Sequence, residues 1–373
     1  MRGLFTCGVL DVFMENGIEF DGTVGISAGA VFGCNYKSRQ HGRPLRYNTT
    51  FCKDKRYGSL WSFLKTGDLY DVDFCYREIP EELDPFDAEA FAKDPMEFYI
   101  GATDVKSGKC LFHKCADGGK EDMLWMQASA SMPLVSRIVK IDGLELLDGG
   151  IADSIPLNFM EEKGFDRNVV VLTQPKGYRK KKNMLLPLIR IALRDRPMAV
   201  DAMEKRHVLY NREVKDIEAK EERGEVFVIR PPKALGIGRT EKDPEELRRV
   251  YQLGREEAEK HLEEMKEFLS GEYVGKKETV MKKKIRKRFR FFGRVQGVGF
   301  RFQAMMAADS LGLTGWVRNE SDGSVTMEIQ GSEEEIDTAV DLIENSRFIH
   351  IERKEDMIIP LKEDESSFGA DYW

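Results

Sequence analysis

The sequence predicts an α/β domain followed by a smaller α+β domain, and three observations carry that expectation. Short strand-like runs alternate with helical stretches through residues 1–270, the pattern of a sheet flanked by helices. Residues 276–294 then shift abruptly to lysine and arginine, which marks a boundary. Beyond it, strand-like and helical periodicities follow in the order β-α-β-β-α-β. A chain of 373 residues has room for both domains and for a real core in each. The expected division is residues 1–275, a basic linker at 276–284, and residues 285–373.

Val9, Leu10, Val12 and Phe13 supply the buried stripe of a first helix. Asp21-Gly22 precedes a short strand, and Gly25-Ile26-Ser27-Ala28-Gly29 turns it into a second helix. The aromatic stretch from Tyr36 to Tyr70, including Tyr47, Tyr57 and Trp61, reads as helices and loops with mostly core aromatics. Residues 98–104 and 110–112 read as a hairpin, 124–130 as a helix, and 141–147 as two strands around Asp142-Gly143. Residues 169–173 read as a compact buried strand and 226–229 as another, stopped by Pro231-Pro232. Asp243-Pro244-Glu245-Glu246 forms a capping box opening one long helix, whose apolar face runs from Leu247 to Leu269 and which ends at Ser270-Gly271.

In the second domain, residues 285–292 form a strand and 293–299 a glycine-rich loop, and Phe300, Ala304, Ala308 and Leu311 mark a helix face. Strands at 316–318 and 325–329 join across Asp322-Gly323, Ser332-Glu333-Glu334-Glu335 caps a second helix, and strands at 348–351 and 357–359 complete the set. This is the ferredoxin-like arrangement.

Composition narrows the function. With 58 basic and 65 acidic residues the formal net charge is −7, an unpromising balance for nucleic acid. The basic stretch 282–294 also fits nucleic-acid contact, but a strand leading into a phosphate loop accounts for it. No run of about eighteen apolar residues is present to span a membrane. The first residues lack the basic and apolar blocks of a signal peptide, and the six cysteines show no CxxC spacing. The expected setting is therefore the cytoplasm, with reduced thiols. Cys110, His113 and Cys115 have no fourth ligand at usable spacing, so no metal and no cofactor is expected.

A serine at a strand–turn–helix elbow is a candidate nucleophile, although the same pentapeptide fits a glycine-rich turn. None of the five histidines stands at an obvious strand end. Asp148, in the corner Asp148-Gly149-Gly150 after a strand, is better placed as a base, or is an ordinary Asp-Gly turn. These motifs, with Arg2-Gly3 ahead of both, resemble a patatin-like phospholipase. Residues 128–133 and 153–157, Thr173-Gln174-Pro175 and Ile229-Arg230-Pro231 also look like family segments, and the helix after Asp243 is similar to the extension of bacterial members.

The resemblance covers about residues 1–270 and implies a three-layer α/β/α fold. It also implies a Ser–Asp dyad in which Ser27 is the nucleophile and Asp148 the base, acting on lipid or small ester substrates. The family's oxyanion loop, Gly-Gly-Gly-x-Arg-Gly, follows its first strand, and only Arg2 and Gly3 match it here. The expectation is that the natural chain starts upstream of Met1.

Gly293 to Arg301 closes a strand and opens a helix, so its amides can face an anion at the helix's positive end. Arg301 adds a guanidinium fork for phosphate oxygens, and Asn319 ends the next strand. Residues 283–373 closely resemble acylphosphatase in motif order. The resemblance implies that Val295, Gln296, Gly297, Val298, Gly299, Phe300 and Arg301 cradle phosphate. It further implies that Arg301 anchors it and Asn319 positions the attacking water, in a metal-free hydrolysis of an acyl phosphate.

Arg179-Lys180-Lys181-Lys182 before Met184-Leu185-Leu186 suits peripheral contact with an anionic membrane, and equally a solvated cluster before a buried helix. The expected whole is a serine acyl hydrolase fused to an acylphosphatase. The alternative is a catalytically weak lipid-binding module in front of one active enzyme.

Overall fold

The computed structural model describes residues 1–271, 284–344, 346, 349–362, 365 and 367–371. Residues 276–283 of the expected linker and Phe348 of an expected strand lie outside the described residues. The chain divides into two compact units, Met1–Gly275 and Lys276–Trp373.

The first unit begins with α1 (Leu4–Glu15), β1 (Gly22–Ile26), α2 (Ala28–Lys37), α3 (Arg43–Phe51), α4 (Leu60–Thr66), a wide-turn helical segment Phe74–Leu83, and α5 (Ala88–Lys93). Next come β2 (Glu97–Asp104), β3 (Cys110–Lys114), α6 (Lys120–Ser129), β4 (Val139–Ile141), β5 (Leu144–Asp148), α7 (Leu157–Glu162) and β6 (Asn168–Val171). The unit closes with α8 (Leu186–Ala192), α9 (Pro197–Glu222), β7 (Val226–Ile229), α10 (Pro244–Lys260) and α11 (Leu262–Ser270).

The sheet is mixed rather than wholly parallel. Its order is β1-β2-β5-β4 with β3 also on β2, and only β1 and β2 run parallel. β6 and β7 form a separate parallel pair. Each of β1 and β6 therefore keeps one edge without a strand partner among the described residues. β6 is only partly buried, unlike the buried strand its apolar run predicts, because half its surroundings are a cleft rather than a packed layer.

The core gathers Leu4, Phe5, Val9, Val12 and Phe13 of α1 with Phe98 and Ile100 of β2 and Leu247 and Val250 of α10. Buried Asp11 of α1 accepts the Tyr251 hydroxyl at 2.6 Å, and Glu15 takes a two-pronged bond from Arg255. These bonds fix α1, and so the Arg2-Gly3 entry, against α10. The long helix expected after Asp243 is broken at His261 into α10 and α11. Asp243 caps it through the Glu245 amide, but the reciprocal bond comes from Glu241 because Glu246 pairs with Arg249. Gly271 ends α11 in the left-handed region.

The second unit contains β8 (Ile285–Arg294), α12 (Phe300–Ser310), β9 (Thr314–Asn319), β10 (Val325–Gly331), α13 (Glu333–Glu344), β11 (His350–Ile359) and β12 (Phe368–Ala370). The sheet order β11-β8-β10-β9 is ferredoxin-like, and β12 extends it parallel to β9. One continuous β11 replaces the two short strands read from the sequence, with an irregularity between Ile351 and Arg353. Ser332 and Glu335 exchange hydrogen bonds in a full capping box. Phe289, Phe291, Val317, Met327, Ile329 and Ile336 make the core between the sheet and the helices.

Candidate active sites

β1 ends where Ser27 enters α2 with φ +55°, a rare left-handed conformation for a residue with a Cβ. Two hydrogen bonds hold it there. The Ser27 amide donates to Ser129 Oγ at 2.8 Å, and Ser129 Oγ donates to the Gly101 carbonyl at 2.6 Å. The flanking glycines are not equivalent, although the sequence makes them look so. A Cβ on Gly25 would lie 2.5 Å from the Ala30 amide nitrogen and the Gly29 carbonyl, whereas one on Gly29 would meet open space. The turn itself needs only Gly25.

Ser27 Oγ donates to Asp148 Oδ2 at 2.7 Å, across 121 positions of chain. Asp148 is 3% exposed at the end of β5, where it pairs with Ala102 of β2. Its other oxygen accepts the Gly150 amide at 2.8 Å, and its carbonyl accepts Thr103 Oγ1. Burial raises its pKa above the ordinary aspartate value. The Arg206 charge, the Ser27 hydroxyl and the Gly150 amide only partly oppose that. A buried carboxylate of raised basicity, bonded to a strained serine hydroxyl, can accept the hydroxyl proton.

The sequence-predicted Arg2 and Gly3 line the same cleft as Ser27 and Asp148, and Gly3 packs against Ala28 and Phe32. The first amides of α2 have no intrahelical acceptors, so they add a positive end beside Ser27. The cleft encloses about 1220 Å³. Tyr36, Tyr47, Tyr57 and Tyr76 line it as well as filling the core, while Trp61 on α4 is 44% exposed rather than packed. Its inner part runs between the open edges of β1 and β6.

Sequence reasoning gave no role to Ser129 or Arg206 and placed Lys180 only in a membrane-facing basic cluster, yet all three stand near the pair. Arg206 Nε of α9 donates to the Gly150 carbonyl. Lys180 does not share one exposed face with Lys181 and Lys182. Its ammonium lies 4.1 Å from the Tyr210 ring centre and lines the cleft. Nothing in a charge-rich helix or a lysine run distinguishes such residues, since the fold alone brings them to the cleft.

His113, Cys115 and Asp122 place three donor atoms within 4.8 Å of one another, and Cys110 is not among them. Asp122 already bonds His113 at 2.7 Å and accepts the Ala116, Asp117 and Gly118 amides. His113 also stacks on Trp125. The trio ties β3 to α6.

In the second unit, residues 295–299 form the loop from β8 to α12, with Gly297 and Gly299 in the left-handed region. Val295 and Phe300 are buried anchors in the core. Gln296 Nε2 donates to the Glu320 and Ser324 carbonyls at 2.7 and 2.8 Å, pinning the loop to the β9–β10 turn. Arg301 is the second residue of α12, and Asn319 is the last of β9. β8 and β9 both run antiparallel to β10, and Val325 pairs with both Phe291 and Asn319. The loop and Asn319 therefore leave the same end of the sheet.

Three family models match the chain. They are a patatin-like phospholipase model at residues 1–160, a domain of unknown function (DUF6363) at 196–270, and an acylphosphatase model at 287–369. The uncharacterized protein YjjU of Escherichia coli (strain K12) is 30% identical over 192 residues, covering 47% of this chain and 49% of that protein. The chain thus spans about half the length of that relative. An acylphosphatase of Enterococcus faecalis is 43% identical over 81 residues, 20% of this chain and 86% of the relative. A solved acylphosphatase from Bacillus subtilis is 34% identical with a TM-score of 0.23, covering 24% of this chain and 99% of that one.

Proposed function

We propose a chain with two hydrolytic sites, since residues 1–160 form a patatin-like phospholipase domain and residues 287–369 an acylphosphatase domain, both of hydrolase families. The first is a serine acyl hydrolase for lipid or small ester substrates. Ser27 Oγ attacks the ester carbonyl while Asp148 takes its proton, and the amides at Gly3 and the start of α2 face the oxyanion. Asp148 returns the proton to the departing alkoxide, leaving an acyl-enzyme. Water, deprotonated by Asp148, then releases the acid and restores Ser27.

The second site hydrolyses acyl phosphates. Residues 295–301 cradle the phosphate, Arg301 pairs with its oxygens and Asn319 holds the attacking water. The common placement of this loop and Asn319 at one end of the sheet supports those roles.

The observation that carries the first assignment is the 2.7 Å bond from Ser27 to a buried Asp148. Assays of p-nitrophenyl butyrate and benzoyl phosphate on the whole chain test both sites. Ser27→Ala abolishes only ester turnover and Arg301→Ala only benzoyl phosphate turnover. Ester turnover that survives Ser27→Ala removes the dyad.

A second reading, a weakly catalytic lipid-binding first unit, draws on the open edges of β1 and β6 facing the cleft. We propose the domains as 1–275, a linker at 276–284 and the acylphosphatase domain at 285–373.

The protein's setting is proposed as cytoplasmic, with peripheral membrane contact. Among the described residues no helix is long and apolar enough to cross a membrane. Lys181 and Lys182 are exposed beside exposed Met184, Leu185, Leu188 and Ile191, a pairing that fits an anionic bilayer surface. Replacing Lys181 and Lys182 by Glu should reduce co-sedimentation with phosphatidylglycerol vesicles, and unchanged sedimentation removes this contact.

A further inference from the structure

We propose that Arg206 and Lys180 form an anion subsite beside Ser27 and Asp148 that binds the phosphate of a lipid headgroup. This rests on the acyl-hydrolase reading and gives the segment matched by the model of unknown function a task, since Arg206 lies on α9 within residues 196–270.

Four observations converge on it. Arg206 and Lys180 line the cleft that contains Ser27 and Asp148. Arg206 Nη2 stands 3.3 Å from the point where a Cβ on Gly150 would sit, and Asp148 Oδ1 is 3.1 Å from that same point. The guanidinium is therefore a close neighbour of the base. Its Nε is committed to the Gly150 carbonyl, which fixes the planar group at the wall of the cleft.

Neither cation has a carboxylate within 4.0 Å among the described residues, whereas other cations of the same region do. Arg190 pairs with Glu204, Lys205 with Asp201 and Lys220 with Glu161. Two half-buried cations and Arg2 thus share one cleft in which Asp148 and Glu213 are the offsetting carboxylates, neither of them within 4.0 Å of Lys180 or Arg206. Burial, followed by the Arg206 and Arg2 charges, pulls the Lys180 amine down to about 7, while the nearby Glu213 carboxyl is pushed up to about 7 by burial. A docked phosphate would supply the direct contact that these two carboxylates do not make.

A phosphate held there would sit next to the ester carbonyl presented to Ser27, as in a glycerophospholipid, where the two groups share one glycerol. The alternative source of the same chemistry is free phosphate.

Calorimetric titration separates these outcomes, using the full chain carrying Arg301→Ala so that the acylphosphatase loop does not contribute. The probes are dodecyl phosphate, the phosphate-free amphiphile dodecyl maltoside, and inorganic phosphate. Dodecyl phosphate should bind at least tenfold more tightly than dodecyl maltoside, and Lys180→Gln and Arg206→Gln should each weaken it about tenfold, the scale of one charge-assisted hydrogen bond. Arg206→Lys should recover part of the loss.

Equal affinity for the two amphiphiles, or dodecyl phosphate affinity unchanged in both Gln variants, overturns the subsite. Inorganic phosphate binding as tightly as dodecyl phosphate assigns the cluster to free phosphate and overturns the headgroup assignment. Because Arg206 also holds the Gly150 carbonyl, Lys180→Gln is the cleaner variant, and retained thermal unfolding shows that each variant is folded. Binding is read without turnover. A chain that binds dodecyl phosphate and cleaves no ester would therefore remove the hydrolase reading and leave the subsite standing.

Discussion

The two candidate sites are built in opposite ways. In the second unit the candidate phosphate-binding residues are one continuous stretch, 295–301, running from the end of a strand into the first turn of the helix it feeds. In the first unit the two candidate reacting groups stand 121 positions apart, and each needs a separate device to hold it. Ser27 is held by backbone strain and by Ser129, while Asp148 is held by burial and by the register of β5 on β2. A site made from contiguous backbone amides depends on the conformation of one loop. A site made from distant side chains depends on the sheet that joins them, so it can be broken from many more places.

The largest break is at Asp148. Replacing it with Asn keeps its shape but removes the base, and ester kcat/KM should fall by about 10⁴. Benzoyl phosphate turnover in the same protein should stay within about twofold, because no base from the first unit enters that reaction. The pH profile sharpens the comparison. Burial raises the folded-state pKa of Asp148, and only the ionised form can take the Ser27 proton. Ester kcat/KM should therefore rise with pH along an acid limb displaced above the ordinary aspartate range.

Stability moves the other way. The folded chain holds this proton more tightly than the unfolded one, so the contribution is fullest below the unfolded pKa. It declines as pH rises through the folded value. Asn at 148 should abolish both trends, and an acid limb at the ordinary aspartate position would contradict the desolvated base.

Ser129 ranks next. Its hydroxyl links the Ser27 amide to the Gly101 carbonyl, so Ser129→Ala leaves two buried backbone groups unpaired at a cost of about 2–3 kcal/mol. Ester kcat should drop roughly 10²-fold as the elbow loosens, a sensitivity expected of groups held in near-attack geometry. Denaturant unfolding and ester kinetics measured together check this. Unchanged kcat in a destabilised variant would make Ser129 purely structural.

Much of this was legible in the sequence, for physical reasons that differ between the units. The β-α-β-β-α-β order, the Ser332 cap and the glycine loop are local patterns, and the second unit folds as they indicate. Ser27 and Asp148 were legible because each sits at a strand end marked by glycine. The mixed sheet was not, because alternating elements predict strands and helices but not the direction in which β2 and β5 meet. The break at His261 was hidden by an apolar stripe that continues through it. Ser129 and Arg206 carry no local signature, since their partners, Gly101 and Gly150, are assembled by the sheet and by α9 packing against it.

The glycine pair around Ser27 gives a smaller and more discriminating test. Gly25→Ala drives a Cβ to 2.5 Å from backbone atoms that cannot move independently of the turn, which should cost about 2 kcal/mol. Gly29→Ala meets open space inside the first turn of α2 and should be neutral or stabilising by up to about 1 kcal/mol. Equal destabilisation by the two would mean the turn depends on both glycines, and chemical denaturation resolves the difference.

The smallest expected effect lies in the second unit. Gln296 is the side-chain tie between the phosphate loop and the β9–β10 turn that follows Asn319. Gln296→Ala removes two bonds to carbonyls that water can reach in part, so stability should fall by only about 1 kcal/mol. The functional effect follows the geometry: with the loop no longer tied to the turn, the amides and Asn319 lose their common reference. Benzoyl phosphate KM should rise several-fold while ester turnover stays constant. A loop whose backbone is set by Gly297 and Gly299 alone would instead leave KM unchanged. The second site would then be as self-contained as its continuous sequence implies, which is the point at which the contrast with Ser27 and Asp148 is most open to refutation.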